Sequence, residues 1–222
     1  MTLTRAATLA LELDIAGGIL CGDLTIPDGA IGLVAFAHGS GSSRRSPRNR
    51  EVAAALVRHG LATFLVDLLT ADEGERDEVT AELRFDIPLL GERMVSVVDT
   101  LVLSEDTASL PIGLFGASTG AAAALIAAAG RPQHVHAVVS RGGRPDLAAD
   151  ALPRVLSKTL LIVGGDDTAV IDMNRAALAR MRPGVADLVV IPGATHLFEE
   201  PGALERVADL ASAHFVAHLQ RG

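Results

Sequence analysis

Short, wholly apolar runs alternate with longer amphipathic ones along this chain, and the alternation predicts its architecture. Runs around 8–15 and 19–26 flank Gly17-Gly18 and predict a β-hairpin. After Pro27-Asp28-Gly29, an apolar strand over 31–37 ends at His38-Gly39. A helix over roughly 47–59, with Pro47 near its first turn, leads to a strand at Leu61–Val66. A polar stretch, 70–85, precedes a helix from about 87 to 103. Strands follow at 112–115, 135–139, 160–163 and 188–191, with helices from 118 onward, over 171–181 and near 202–219. Strands of this kind, alternating with helices, indicate βαβ units and a mainly parallel sheet buried on both faces. The expected class is α/β, with about eight mostly parallel strands and an antiparallel hairpin at one edge. No repeat or linker breaks the pattern, so one domain is expected over 1–222. The acidic segment 71–78 reads as a mobile, solvated loop, with a lid over a site as the alternative.

Composition narrows the functional classes. A net charge of −8 argues against broad nucleic-acid binding, which needs a basic footprint. Trp and Tyr are absent, which removes stacking platforms for single strands and the interfacial belts of membrane proteins. The one cysteine, Cys21, builds no disulfide framework and is expected to pack in the core. Glu12 and Asp14 interrupt what would have to be the apolar region of a signal peptide. The uncharged run 107–130 is broken by Pro111, Gly113, Gly116 and Gly120, and fits a strand, a turn and a helix better than a membrane span. The expectation is a cytoplasmic enzyme-sized domain that needs no metal or organic cofactor.

The strongest chemical signal is Gly116-Ala117-Ser118-Thr119-Gly120, with LPIGLFG before it and AAAALIAAAG after it. A serine on a tight turn between strand and helix presents its hydroxyl at the sheet edge, and the flanking glycines let strand and helix approach closely. Such a hydroxyl needs a base, and His196, just after the last strand, fits. His59, His214 and His218 fall on helices, while His134 and His136 flank the start of a strand at the wrong end of the sheet. An acid should orient the imidazole, and the strand at 160–163 runs into Gly164-Gly165-Asp166-Asp167. Either aspartate serves, because the glycines break the strand register. A glycine-rich strand end, His38-Gly39-Ser40-Gly41-Ser42, can close backbone amides on a developing oxyanion, with Ser40 and Thr119 as the two donors. His38 reads as a structural residue of that turn. The order Ser118, aspartate, His196 is that of the α/β-hydrolases.

Together these motifs, with the terminal Pro-Gly-Ala-Thr-His-Leu-Phe-Glu-Glu-Pro, resemble a dienelactone hydrolase-like α/β-hydrolase over about residues 18–219. The subgroup it resembles is bacterial and is sometimes fused to a phosphoribosyltransferase domain. The resemblance implies an α/β-hydrolase fold without a cap domain. It also implies a Gly-Gly-x-Asp-x-x-Val acid, a pattern that Asp167 satisfies with Val170. Dienelactone hydrolases proper carry a cysteine at the elbow, so the serine here moves the expectation toward a general carboxylesterase, cleaving a small-molecule ester through Ser118, Asp167 and His196. A lactone or thioester hydrolase on the same triad is the first rival, and a non-catalytic ligand-binding homologue is the second. Eighteen residues separate Ser140 from Thr159, too few for a helical cap. Arg45, in the group after the oxyanion turn, and Arg141, after a strand end, are candidates to recognise an anionic portion of the substrate.

Overall fold

The computed structural model describes residues 7–220. Residues 1–6 of the N-terminal stretch and the last two of the 1–222 span lie outside them. Among the described residues eight strands form one sheet: β1 (Thr8–Ile15), β2 (Gly18–Thr25), β3 (Gly32–Ala37), β4 (Leu61–Val66), β5 (Ile112–Ala117), β6 (Val135–Arg141), β7 (Lys158–Gly164) and β8 (Ala186–Ile191). Their order is β1-β2-β4-β3-β5-β6-β7-β8; the β1–β2 and β2–β4 pairs are antiparallel and the rest parallel. Six α-helices accompany them: α1 (Pro47–Arg58), α2 (Ala71–Thr80), α3 (Ile87–Leu103), α4 (Gly120–Gly130), α5 (Thr168–Arg180) and α6 (Ala203–Leu219).

Alternation along the strands divides the core in two. Leu33, Ala35 and Ala37 of β3 pack with α3 and α4, while Val34 and Phe36 pack with α1 and α6 on the opposite face. Both faces of β3, β4 and β5 are buried throughout, which is why these strands carry no polar period. After β3 the chain runs to β4 on one side, and β5 lies against the other side of β3. The crevice at a sheet's C-terminal edge opens where the strand order reverses in this way. Both His38-Gly39 and the Ser118 turn leave the sheet there.

Two segments differ from expectation. Residues 71–80 form helix α2, not a loop. Thr70 Oγ1 accepts from the Glu73 amide and the Glu73 carboxylate accepts from the Thr70 amide, a reciprocal cap. Buried Asp77 fixes the far end, accepting from the Leu83 and Arg84 amides and from Arg84 Nε at 2.7 Å. These donors hold its carboxyl below the ordinary range, against the opposing effect of its burial. Cys21 is half-buried on the wall of a cleft, not in the core. The uncharged run 107–130 contains β5, the turn and α4, and no helix among the described residues is long and apolar enough to cross a membrane. Between β6 and β7, residues Pro145–Arg154 form 3₁₀ turns.

Candidate active site

Ser118 sits between β5 and α4 with φ of 50°, the left-handed region that a side chain occupies only when its surroundings force it. Those surroundings are interlocked backbone. A Cβ on Gly116 would lie 2.4 Å from Ala121 Cα, and one on Gly120 would lie 2.3 Å from the Ala37 carbonyl oxygen. The elbow therefore presses on its own helix and on the β3 turn, with no room for a side chain at either glycine. The Ser118 amide donates to the Arg141 carbonyl at 3.3 Å, and the Ser118 carbonyl accepts from the Arg144 amide at 3.0 Å. Ser118 is thus pinned to the end of β6.

The histidine and the acid arrive from β8 and β7. The Gly165 amide donates to the Ile191 carbonyl and the Asp166 amide to the Ala194 carbonyl, zipping the two loops together. A Cβ on Gly164 would lie 2.3 Å from the Ala194 oxygen, so the paired glycines are where the histidine loop lies on β7. Asp167 occupies the N-cap position of α5, yet its carboxylate caps no helix amide. It instead accepts from His196 Nδ1 at 2.6 Å. Asp166 contributes only its backbone to that loop. Phe198, buried and also in the left-handed region, anchors the loop beyond the histidine, and the Thr195 hydroxyl donates to Glu200 at 2.6 Å.

The imidazole lies over the end of β6. A Cβ on Gly142 would stand 3.1 Å from the His196 carbonyl oxygen and 3.6 Å from its Cε1. Gly142 follows Arg141, whose carbonyl holds the Ser118 amide, so serine and histidine converge on one strand end. Among the described residues the Ser118 hydroxyl makes no hydrogen bond to the imidazole, and such bonds in unliganded sites often tighten only around substrate. Gly142 is the residue that sequence reasoning missed. The glycine pair in Arg141-Gly142-Gly143-Arg144 was its available signal.

His38 behaves as a structural residue. Its Nε2 accepts from the Leu68 amide at 3.1 Å, which places the proton on Nδ1, and Nδ1 donates to the Gly39 carbonyl at 2.9 Å. Burial keeps the ring below its ordinary pKa and hence neutral. The Ser40 amide, the expected oxyanion donor, here donates to Thr119 Oγ1 at 2.9 Å.

The arginines separate. Arg44 is paired with Asp67 and Asp23, Arg48 with Glu199, and Arg144 with Asp146. Arg45 is exposed on the wall of a cleft of about 970 Å³, which shares Gly39 and Ser40 with the site but includes none of Ser118, Asp167 or His196. Arg141 is only 8% exposed at the end of β6. It donates to Asn49 Oδ1 at 3.4 Å, while its Nε and Nη1 have no partner. Burial, with Arg48 nearby as the smaller cause, lowers its pKa to about 10. Among the described residues, no cluster of three or more His, Cys, Asp or Glu is placed to hold a metal ion.

No protein-family model matches the chain. A dienelactone hydrolase from Anabaena variabilis, known from a crystal structure, is 56% identical, with a TM-score of 0.95 over 97% of this chain and 100% of that one. An alpha-beta serine hydrolase homologue from Coxiella burnetii shares the fold at 20% identity, with a TM-score of 0.76 over 95% of this chain and 99% of that one. Two curated Mycobacterium tuberculosis proteins, provisionally named as phosphoribosyl transferases, are 56% identical over 206 residues, 92% of this chain. The match spans 45% of their length, so more than half of each lies outside what is shared.

Proposed function

Because this chain belongs to the dienelactone hydrolase family of α/β-hydrolases, we propose that it is a serine hydrolase cleaving carboxylic esters through Ser118, His196 and Asp167. The observation that carries the proposal is the 2.6 Å bond between His196 and Asp167 at the strand end that pins Ser118. An acid on Nδ1 leaves Nε2 as the basic atom, so His196 can take the Ser118 proton as the hydroxyl attacks an ester carbonyl. His196 then protonates the leaving alcohol, and water repeats the sequence on the acyl-enzyme to release the acid. A lactone is a cyclic ester and undergoes the same steps. The name of the Anabaena relative favours it as the second reading.

Arg141 supports an anionic substrate. At a pKa of about 10 it stays charged near neutrality, and two of its nitrogens lack a hydrogen-bond partner. Leaving a buried donor unmade costs about 1–3 kcal/mol, more for a charged group. A carboxylate on the acyl portion offsets that cost. Turnover of paired esters tests both parts of the proposal. Wild-type protein is expected to hydrolyse p-nitrophenyl hemisuccinate more efficiently than p-nitrophenyl butyrate. Arg141→Met is expected to lower the ratio of the two kcat/KM values by roughly tenfold. Absence of turnover on any ester or lactone contradicts the hydrolase reading; an unchanged ratio contradicts the role of Arg141 alone. Arg45, on the cleft wall, is the second candidate for that anion.

A further inference from the structure

The bond between the Ser40 amide and the Thr119 hydroxyl changes how the oxyanion hole works. An amide carries one proton, and that of Ser40 is directed at Thr119 Oγ1 at 2.9 Å. A hydroxyl has two lone pairs and one proton. Accepting from Ser40 uses a lone pair and turns the Thr119 proton elsewhere. The residue also occupies the N-cap position of α4, where a threonine ordinarily accepts from the first helix amides, yet its side chain makes no such bond. The hydroxyl is turned toward the oxyanion turn instead. It is held there firmly: Thr119 is 3% exposed, its β-branched side chain is stiff, and Gly120 is wedged under the β3 turn.

Resting on the serine hydrolase reading above, we infer that the Thr119 hydroxyl itself donates to the substrate oxyanion. The Ser40 amide acts behind it, as the group that orients and polarises it. The relay runs from the Ser40 N–H to Thr119 Oγ, and from the Thr119 O–H to the carbonyl oxygen as Ser118 adds to the carbon. No proton is transferred along it. Each bond polarises the next, so the hydroxyl is a stronger donor than one without the amide behind it. The Thr119 backbone amide, directly after the nucleophile, is the second arm. Two donors, both on Thr119, thus meet the developing charge with the Ser40 amide behind the hydroxyl, and their positions are fixed before substrate arrives.

Thr119→Val separates this from the simpler arrangement, because it removes the hydroxyl at nearly constant volume and frees the Ser40 amide. With p-nitrophenyl acetate as substrate, Thr119→Val is expected to lose on the order of 10- to 100-fold in kcat, with KM changed by less than about threefold. Thr119→Ser should recover most of that loss. Phosphonylation by a fluorophosphonate, whose P=O occupies the same hole, should slow in parallel. Wild-type rates in Thr119→Val would overturn the inference, because the freed amide would then be the working donor. Equal losses in the Val and Ser variants would also overturn it, since the methyl group and not the hydroxyl would matter. If Thr119→Val does not fold by circular dichroism, Thr119→Ala takes its place with the same expected loss. An inactive wild type contradicts the hydrolase reading and this inference together. An active wild type matched by Thr119→Val contradicts this inference alone.

Discussion

Ser118→Ala is expected to lose at least about 10⁴-fold in turnover of p-nitrophenyl acetate while keeping its thermal midpoint within a few degrees. The activity goes because the variant has no hydroxyl to form the acyl-enzyme, and the neighbouring donors act only on a carbonyl under attack. The fold stays because what holds the elbow is backbone: the Arg141 carbonyl, the Arg144 amide and the contacts at Gly116 and Gly120. Alanine keeps a Cβ at φ of 50°, so the strain at this position is unchanged. Steady-state kinetics beside a melting curve check both halves. Wild-type turnover in Ser118→Ala would remove the nucleophile assignment.

Asp167→Asn is expected to lower kcat by roughly 10²- to 10⁴-fold, while Asp166→Asn stays within about threefold of wild type. An aspartate on Nδ1 fixes the tautomer that leaves Nε2 basic, and it stabilises the positive ring that forms when the serine proton arrives. An asparagine amide in that position can donate to Nδ1 and so select the opposite tautomer. Asp166 engages the histidine loop through its backbone amide, which any residue but proline supplies. Equal effects at the two positions, or a larger one at 166, would contradict the pairing seen at 2.6 Å.

How far the sequence spoke for itself depended on whether a feature was local. The strand, elbow and helix around Ser118 were legible because the apolar run before it, the alanines after it and the two glycines are all one local pattern. The β1–β2 hairpin and helix α3 were legible for the same reason. Helix α2 was not, because it has no apolar stripe; a reciprocal cap and the inward carboxylate of Asp77 hold it. Residue spacing left Asp166 and Asp167 open, because Gly164 and Gly165 release the chain from strand alternation. What selects Asp167 is the loop pairing that places the imidazole over Gly142. The bond between Ser40 and Thr119 joins residues 79 positions apart, and no local rule predicts it. Arg141 was placed at the strand end, but its burial beside Asn49 follows from β6 running two residues past Val139.

The proposed chemistry requires the hydroxyl at 118 to be an activated nucleophile. Incubating the intact protein with a fluorophosphonate and reading the adduct by mass spectrometry tests it most directly. One adduct per chain is expected, on the peptide containing Ser118, formed far more slowly in His196→Ala and not at all in Ser118→Ala. No adduct under conditions that label a serine hydrolase control, or an adduct on a different residue, would contradict it.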